Sequence, residues 1–196
     1  MTNKIHKQKG GTCAGTAVAN AIEAHTGVSV EESFVTNFYK KHDPNYGTKY
    51  EGMHVPTIAR HTKETPMAGY HVEDMEHIFS TTIRGKVKDG FRLINVIHAL
   101  RDPDRAMVIN LRIHGSDEYG IKFPLDKDYF YEPGDRQFPY YHAMFACAEV
   151  RRNGRHGVMV ENSWGHKWGL DGMFFIDFKT FHRYVGEAYS FKVVKA

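Results

Sequence analysis

The order of two hydrophobic periodicities along the chain constrains its fold more than any other sequence feature. Apolar residues recur at helical spacing through the first half, whereas apolar and polar residues alternate over residues 106–113 and in later segments. Helices followed by antiparallel strands are typical of an α+β domain. We therefore expect two lobes, a helical lobe over about residues 1–104 and a β lobe over about residues 105–196.

Capping and helix-breaking residues delimit the predicted helices of the first half. Thr12 is a candidate cap for a first helix that begins at Cys13, carries small apolar residues and stops before Gly27. Pro56 suits the first turn of a short third helix. The helices are predicted at about 13–25, after the capping-box segment 29–32, at about 56–61, at 72–79 and at 91–100.

Apolar and alternating segments predict a set of strands in the second half, joined by turns and one long loop. The strands are expected at 106–113, 142–150, 157–161, 172–177 and 189–194, and the loop 114–139 is rich in aromatic residues. Asn153-Gly154 is typical of a hairpin turn between two of these strands. A chain of 196 residues is long enough to form a substantial core, so we expect a single domain over residues 1–196.

Charge, cysteine count and histidine spacing narrow the possible partners. A net charge of +3 with scattered basic residues predicts no nucleic-acid surface and no membrane surface. The chain has only two cysteines and no apolar segment for a signal peptide near Met1, so we expect an intracellular, cytoplasmic protein. His71 and His77 lack the spacing of metal ligands, and no metal or other cofactor is predicted.

Three residues that are far apart in the sequence form a candidate site for nucleophilic catalysis: Cys13, His142 and Asn162. The thiolate is the reactive form of cysteine, and the free amides and dipole at the amino end of a helix favour it at Cys13. His142, at the start of a strand, would exchange a proton with the thiol, and Asn162 would orient its ring. These residue types predict acyl transfer through a covalent intermediate.

Residues close to these three have predicted supporting roles. Trp164 would cover the hydrogen bond between the histidine and the asparagine and exclude water from it. A developing oxyanion needs hydrogen-bond donors, for which the backbone amide of Cys13 and the side chain of Gln8 are candidates.

Other residues of the same types have simpler interpretations. Cys147 lies within a predicted strand and is interpreted as a small buried hydrophobic residue. Trp168 and Gly169 are interpreted as scaffold. Asn162 taken alone would also be compatible with a turn cap, so its catalytic interpretation depends on its neighbours.

Several motifs of the chain resemble those of the papain family of cysteine peptidases. They are Gln8-Lys9-Gly10-Gly11-Thr12-Cys13, Ala17-Val18-Ala19-Asn20-Ala21-Ile22-Glu23, His142-Ala143-Met144, Glu161-Asn162-Ser163-Trp164-Gly165 and Trp168-Gly169-Leu170-Asp171-Gly172. The resemblance implies a papain-like two-lobed α+β fold with the Cys13 helix at the centre of the helical lobe. The second half is most similar to the bleomycin hydrolase branch of the family.

The resemblance also implies where a substrate binds. Glu51-Gly52 resembles the glycine strip at which a substrate backbone pairs with the enzyme. Met53, Tyr141 and Ala143 are expected to wall the main specificity pocket, and the alternative role of Tyr141 is to narrow the site. The expected partner is a peptide or protein substrate in a cleft between the two lobes.

Three functions are compatible with these residues. The leading hypothesis is a cysteine-type peptidase that hydrolyses peptide bonds through an acyl-enzyme. A thiol-dependent acyltransferase or transpeptidase would use the same residues, with an amine or a thiol in place of water. An inactive binding module is the third, although such a module has no chemical need for Cys13, His142, Asn162 and Gln8 together.

Overall fold

The computed structural model describes residues 11–48, 52–80, 92–116, 120–133 and 140–196. These ranges contain five helices: α1 (Cys13–Thr26), α2 (Glu32–His42), α3 (Val55–Glu64), α4 (Leu93–Arg101) and α5 (Phe178–Tyr184). They also contain seven strands: β1 (Tyr70–Ser80), β2 (Arg105–Ser116), β3 (Gly120–Lys122), β4 (Tyr140–Arg152), β5 (Arg155–Glu161), β6 (Met173–Asp177) and β7 (Val185–Lys195). The predicted α+β class is confirmed.

Six of the strands form one antiparallel sheet in the order β1-β7-β2-β4-β5-β6, and the short β3 pairs with the end of β2. The strands β4 and β5 form a hairpin whose turn contains Asn153 and Gly154, as the sequence predicts. Strand β1 comes from the first half of the chain and pairs with β7, so the sheet contains segments from both halves.

The helix predicted at 72–79 is wrong, because this segment lies within β1. Two register shifts interrupt its pairing with β7, one between Glu73 and Glu76 and one between His77 and Phe79. Each shift places an additional β1 residue opposite the partner strand, so the apolar residues of β1 recur at wider intervals than two. That wider spacing imitates the periodicity of a helix.

Helix α1 begins at Cys13 as predicted, but Thr12 does not cap it through its side chain. Thr12 has φ −85° and ψ 15° rather than the extended backbone of a capping residue. Its carbonyl accepts the first hydrogen bond of the helix, from the Thr16 amide at 3.0 Å. The helix ends at Gly27, whose φ of 69° and bond to the Glu23 carbonyl match the predicted stop.

The small residues of α1 allow it to lie close to both the sheet and α2. Ala17, Val18 and Ala21 are at most 2% exposed. At Gly15, a Cβ atom would lie 2.5 Å from a ring carbon of Tyr39 on α2, so any larger residue would push the two helices apart. The Tyr39 hydroxyl accepts from the Gly15 amide at 3.0 Å. Helix α1 also packs against β4, which brings its first residue to that strand.

A hydrophobic core lies on each face of the sheet. Alternation along β2 places Met107 and Ile109 in one core and Ala106 and Val108 in the other, as predicted for this segment. Helices α1, α2 and α3 contribute to the core that contains Val108, whereas α4 and α5 contribute to the opposite core.

Helix α5 has no counterpart among the predicted elements, although its start has a recognisable signal. Asp177 precedes the helix, and its Oδ1 accepts from the Thr180 amide at 2.8 Å. In the part of the chain that is described, no helix combines the length and the apolar character needed to cross a bilayer.

Candidate active site

The three predicted site residues meet where α1 begins beside β4. Cys13 is the first residue of α1, His142 lies near the start of β4, and Asn162 directly follows β5. The pairing of β4 with β5 ends with Phe145 opposite Glu161, which places Asn162 next to the first part of β4. The packing of α1 against β4 then brings the thiol to the imidazole.

His142 and Asn162 form a buried hydrogen bond. The Nε2 of His142 lies 2.8 Å from the Oδ1 of Asn162, and the two residues are 3% and 0% exposed. The same Oδ1 accepts from the Ser163 amide at 2.8 Å. Because this oxygen is an acceptor, Nε2 is the donor, and Nδ1 is the ring nitrogen left for the thiol.

The surroundings of Cys13 favour its ionised form. Burial raises the pKa of the thiol, whereas the hydrogen bond and the charge of His142 lower it. The backbone amides of Ala143 and Ala14 lower the pKa further, so the net direction is downward. Ala14 belongs to the first turn of α1, where a free amide is expected.

Cys147 has the opposite electrostatic environment. Burial raises the pKa of its thiol well above the usual range, and the charge of Glu161 raises it further. Its sulfur lies 3.7 Å from the Phe145 carbonyl, and it packs against the core that contains α1. The two cysteines therefore differ sharply in the expected amount of thiolate at neutral pH.

Trp164 lies over His142 and is itself held by other aromatic rings. The two rings are stacked, with centroids 5.6 Å apart and planes at 27°. Phe123 and Trp168 contact Trp164 edge-on, with centroid distances of 5.7 and 5.3 Å. Phe123 comes from the aromatic-rich loop, and the sequence offered no sign of its place behind the site.

Gly52 lies beside the backbone that leads into Cys13. Its φ is 148°, and a Cβ atom there would lie 3.6 Å from the Gly11 carbonyl oxygen. The Gly52 amide donates to the Oδ2 of Asp43 at 2.9 Å, and Asp43 is only 5% exposed. The Oδ1 of Asp43 accepts from the Asn45 amide at 2.8 Å. One buried carboxylate therefore binds backbone amides on both sides of the turn, at Asn45 and at Gly52.

The other predicted substrate-binding residues differ in accessibility. Tyr141 is 41% exposed, its ring adjoins Gly186, and its hydroxyl accepts from the Nε of Arg112 at 3.2 Å. Met53 is partly buried against the core that contains α1. The methyl group of Ala143 is buried in that same core, so this residue adjoins the site through its backbone amide. Gln8 lies outside the described residues, and its role at the oxyanion stays a prediction.

A pair of buried carboxyl groups lies behind the site, and sequence spacing does not reveal it. Glu161, next to Asn162, is 5% exposed, and Glu23 of α1 is 4% exposed. Burial, and secondarily the charge of Glu23, raise the pKa of Glu161 to about 7. The Oε1 of Glu23 accepts from the Val30 amide at 2.6 Å.

The raised pKa of Glu161 predicts a pH-dependent stability. The folded chain keeps a proton on Glu161 that the unfolded chain releases, so the free energy of unfolding should fall as pH rises from about 4.5 to about 7. The expected loss above this window is about 3 kcal/mol. Glu161→Gln should remove it, and chemical denaturation at pH 5 and pH 8 measures the difference.

The exposed residue Glu132 offers a matched control, Glu132→Gln, which should follow the wild type at both pH values. A gain in stability from Glu161→Gln of the same size at pH 5 and pH 8 would contradict the buried titration.

Comparison with solved structures shows which known folds this fold is similar to. The chain is similar to a structure from work on the mite allergens Blo t 1 and Der p 1, with a TM-score of 0.62 and 16% identity, over 99% of this chain and 67% of the other. It is also similar to the bromelain protease from Ananas comosus in complex with the inhibitor E64, with a TM-score of 0.59 and 12% identity, over 97% and 93%. No family model and no curated protein matches the sequence. At these identities the likeness shows the fold, which is that of the papain-like cysteine proteases.

Proposed function

We propose that the chain is a cysteine-type peptidase in which Cys13 is the nucleophile, His142 the proton carrier and Asn162 the residue that orients it. One observation carries the proposal: the Cys13 thiol, with a lowered pKa, interacts with a histidine whose other ring nitrogen is bound to a buried asparagine. The arrangement meets the requirements of nucleophilic catalysis, since the nucleophile, its base and the orienting group are in contact.

The first half of the reaction forms an acyl-enzyme. The Cys13 thiolate attacks the scissile carbonyl carbon, and the new S–C bond leaves negative charge on the carbonyl oxygen. The Cys13 amide and the Gln8 side chain donate to that oxyanion. As the intermediate collapses, the C–N bond breaks and the Nδ1–H of His142 protonates the departing amine.

The second half returns the enzyme to its starting state. His142, now neutral, takes a proton from water, and the resulting hydroxide attacks the thioester carbonyl carbon. The S–C bond breaks, the carboxylic acid leaves, and the thiolate and imidazolium are restored. Stacking of Trp164 on the His142 ring limits the access of other water to the bond with Asn162.

The proposed substrate is a peptide or protein segment that passes beside Gly52. The backbone of Gly52 is exposed and is held by Asp43, so its carbonyl and the neighbouring backbone can pair with an extended substrate. Tyr141 and Met53 are the proposed side-chain contacts, and Ala143 contributes its backbone. We also propose that the second half of the chain is closest to the bleomycin hydrolase branch, on the strength of the motif around Asn162.

Both cysteines are free thiols, and the proposed reaction needs Cys13 to be reduced. A reducing, intracellular compartment therefore suits the proposed function.

Labelling with a thiol-directed epoxide inhibitor, followed by peptide mass mapping, tests the nucleophile. We expect modification of Cys13 at neutral pH and at least about tenfold less modification of Cys147, because only the first thiol has a lowered pKa. Cys147→Ala is the matched control and should label as the wild type does. Equal modification of both cysteines, or undiminished total labelling of Cys13→Ala, would contradict the proposal.

A further inference from the structure

The carboxyl-terminal ends of α2 and α3 bring three potential metal ligands together. His42 is the last residue of α2, and His61 and Glu64 lie in the last turn of α3. One ligand atom from each of the three side chains lies within 4.8 Å of the others. Both histidines are partly buried, whereas the carboxylate is exposed. None of the three takes part in the proposed peptidase site.

The distance between two of these ligand atoms fits a metal better than it fits a hydrogen bond. The Nδ1 of His61 lies 3.4 Å from the Oε2 of Glu64, which is longer than an ordinary hydrogen bond. Two ligands that are each about 2.0 Å from a tetrahedral zinc ion lie about 3.3 Å apart. The two ligand atoms, from residues one helical turn apart, are therefore already separated by about the distance between two ligands of a tetrahedral zinc ion.

The His42 ring supplies the third potential ligand, and contacts with His61 and Thr65 fix its orientation. It stacks on the His61 ring, with centroids 4.3 Å apart and planes at 26°. The Nε2 of His42 lies 3.0 Å from the Thr65 hydroxyl, which accepts from the Nζ of Lys41 at 2.7 Å. This contact leaves the Nδ1 of His42 for a metal, and a hydrogen bond on the remote nitrogen is the usual support of a ligating histidine.

Two features oppose binding and limit its strength. The ammonium group of Lys41 is two contacts from the site and repels a dication. The ligand atoms lie up to 4.8 Å apart, so the longest separation must also shorten by up to about 1.5 Å to match a tetrahedral zinc ion. Because of these two features, we expect a modest affinity. A metal that binds imidazole well is then needed for binding to occur at all.

We propose that His42, His61 and Glu64 form a site for a divalent transition metal of the zinc type, with water in the remaining position. Two neutral imidazoles and one carboxylate are a ligand set that zinc accepts. A bound ion would tie the end of α2 to the end of α3. The chain between His42 and α3 contains Asp43 and Gly52, so the metal would also restrain the loop beside the peptidase site.

Equilibrium dialysis against Zn²⁺ at pH 7.5 tests the site. The Cys13→Ala variant is the starting protein, because the thiol and imidazole of the active site would otherwise bind zinc themselves. We expect His42→Gln/His61→Gln in this background to bind zinc at least about tenfold more weakly at the tightest site. His71→Gln is the matched control, since His71 also contacts a carboxylate, at 2.9 Å from Glu73, but has no third ligand among the residues that the structure describes.

A second variant keeps the test decisive if the double substitution disturbs the packing of α2. Glu64 has a 63% exposed side chain, so Glu64→Gln should fold normally and weaken zinc binding by about threefold or more. Zinc should also raise the midpoint of thermal unfolding of Cys13→Ala, and raise it less in each ligand variant. Affinity that is unchanged in Glu64→Gln and in the double variant, or the lack of any zinc binding by Cys13→Ala, would overturn the proposal.

Discussion

Replacing His142 with alanine is expected to lower kcat/KM for peptide hydrolysis by about 10³-fold or more. The substitution removes the charge and the hydrogen bond that lower the pKa of Cys13, so burial would raise that pKa unopposed by the histidine. It also removes the group that protonates the leaving amine. The two losses affect the same step, which is why the expected effect is large. Hydrolysis of a pool of fluorogenic peptides measures it.

The control for this variant is His98→Ala, because His98 is exposed on α4 and should leave activity unchanged. His142→Ala must retain a cooperative unfolding transition for the comparison to hold. A folded His142→Ala protein that keeps more than about a tenth of the wild-type kcat/KM would contradict the role of His142.

Replacing Asn162 with alanine is expected to lower kcat by about 10²- to 10³-fold with little change in KM. The Oδ1 of Asn162 is the acceptor for the Nε2 of His142, and without it the ring can rotate away from the thiol. Because the substrate does not contact this buried amide in the proposed site, its binding should be preserved. Steady-state kinetics with one fluorogenic peptide separates kcat from KM.

The Asn162→Ala protein is expected to be less stable by about 1–3 kcal/mol, because the buried Nε2–H of His142 and the buried Ser163 amide lose the oxygen to which both donate. Removal of the Nδ2 group, which is buried and has no hydrogen-bond partner among the described residues, offsets part of this loss. The exposed Asn95→Ala on α4 is the matched control. A rise in KM with an unchanged kcat would place Asn162 in substrate binding and contradict its orienting role.

Each of the three proposed site residues has a strong local context in the sequence. Cys13 opens a helix of small residues, His142 lies in an apolar strand, and Asn162 follows the last residue of another strand. Helices and strands can be predicted from the sequence because their periodicity is visible in the spacing of apolar residues. The contact among the three residues depends on strand pairing and helix packing, and a family resemblance was needed to expect it.

Tertiary contacts account for most of what the sequence did not predict. The apolar residues of β1 have a helix-like spacing because two bulges lie between Val72 and Phe79. The bond of Asp43 to Gly52 and the approach of Glu23 to Glu161 join residues that have no local relation. The pairing of His42 with His61 likewise arises from two helices, so sequence spacing predicted no metal site.

The pH dependence of Cys13 alkylation by iodoacetamide in the Cys147→Ala background tests the proposed thiolate–imidazolium pair most directly. We expect the alkylation rate to rise with pH at a midpoint below that of an ordinary thiol, which is about pH 8.5, and we expect His142→Ala to move the midpoint upward. The same profile in both proteins, with a midpoint at or above that of an ordinary thiol, would contradict the thiolate–imidazolium pair and with it the proposed peptidase.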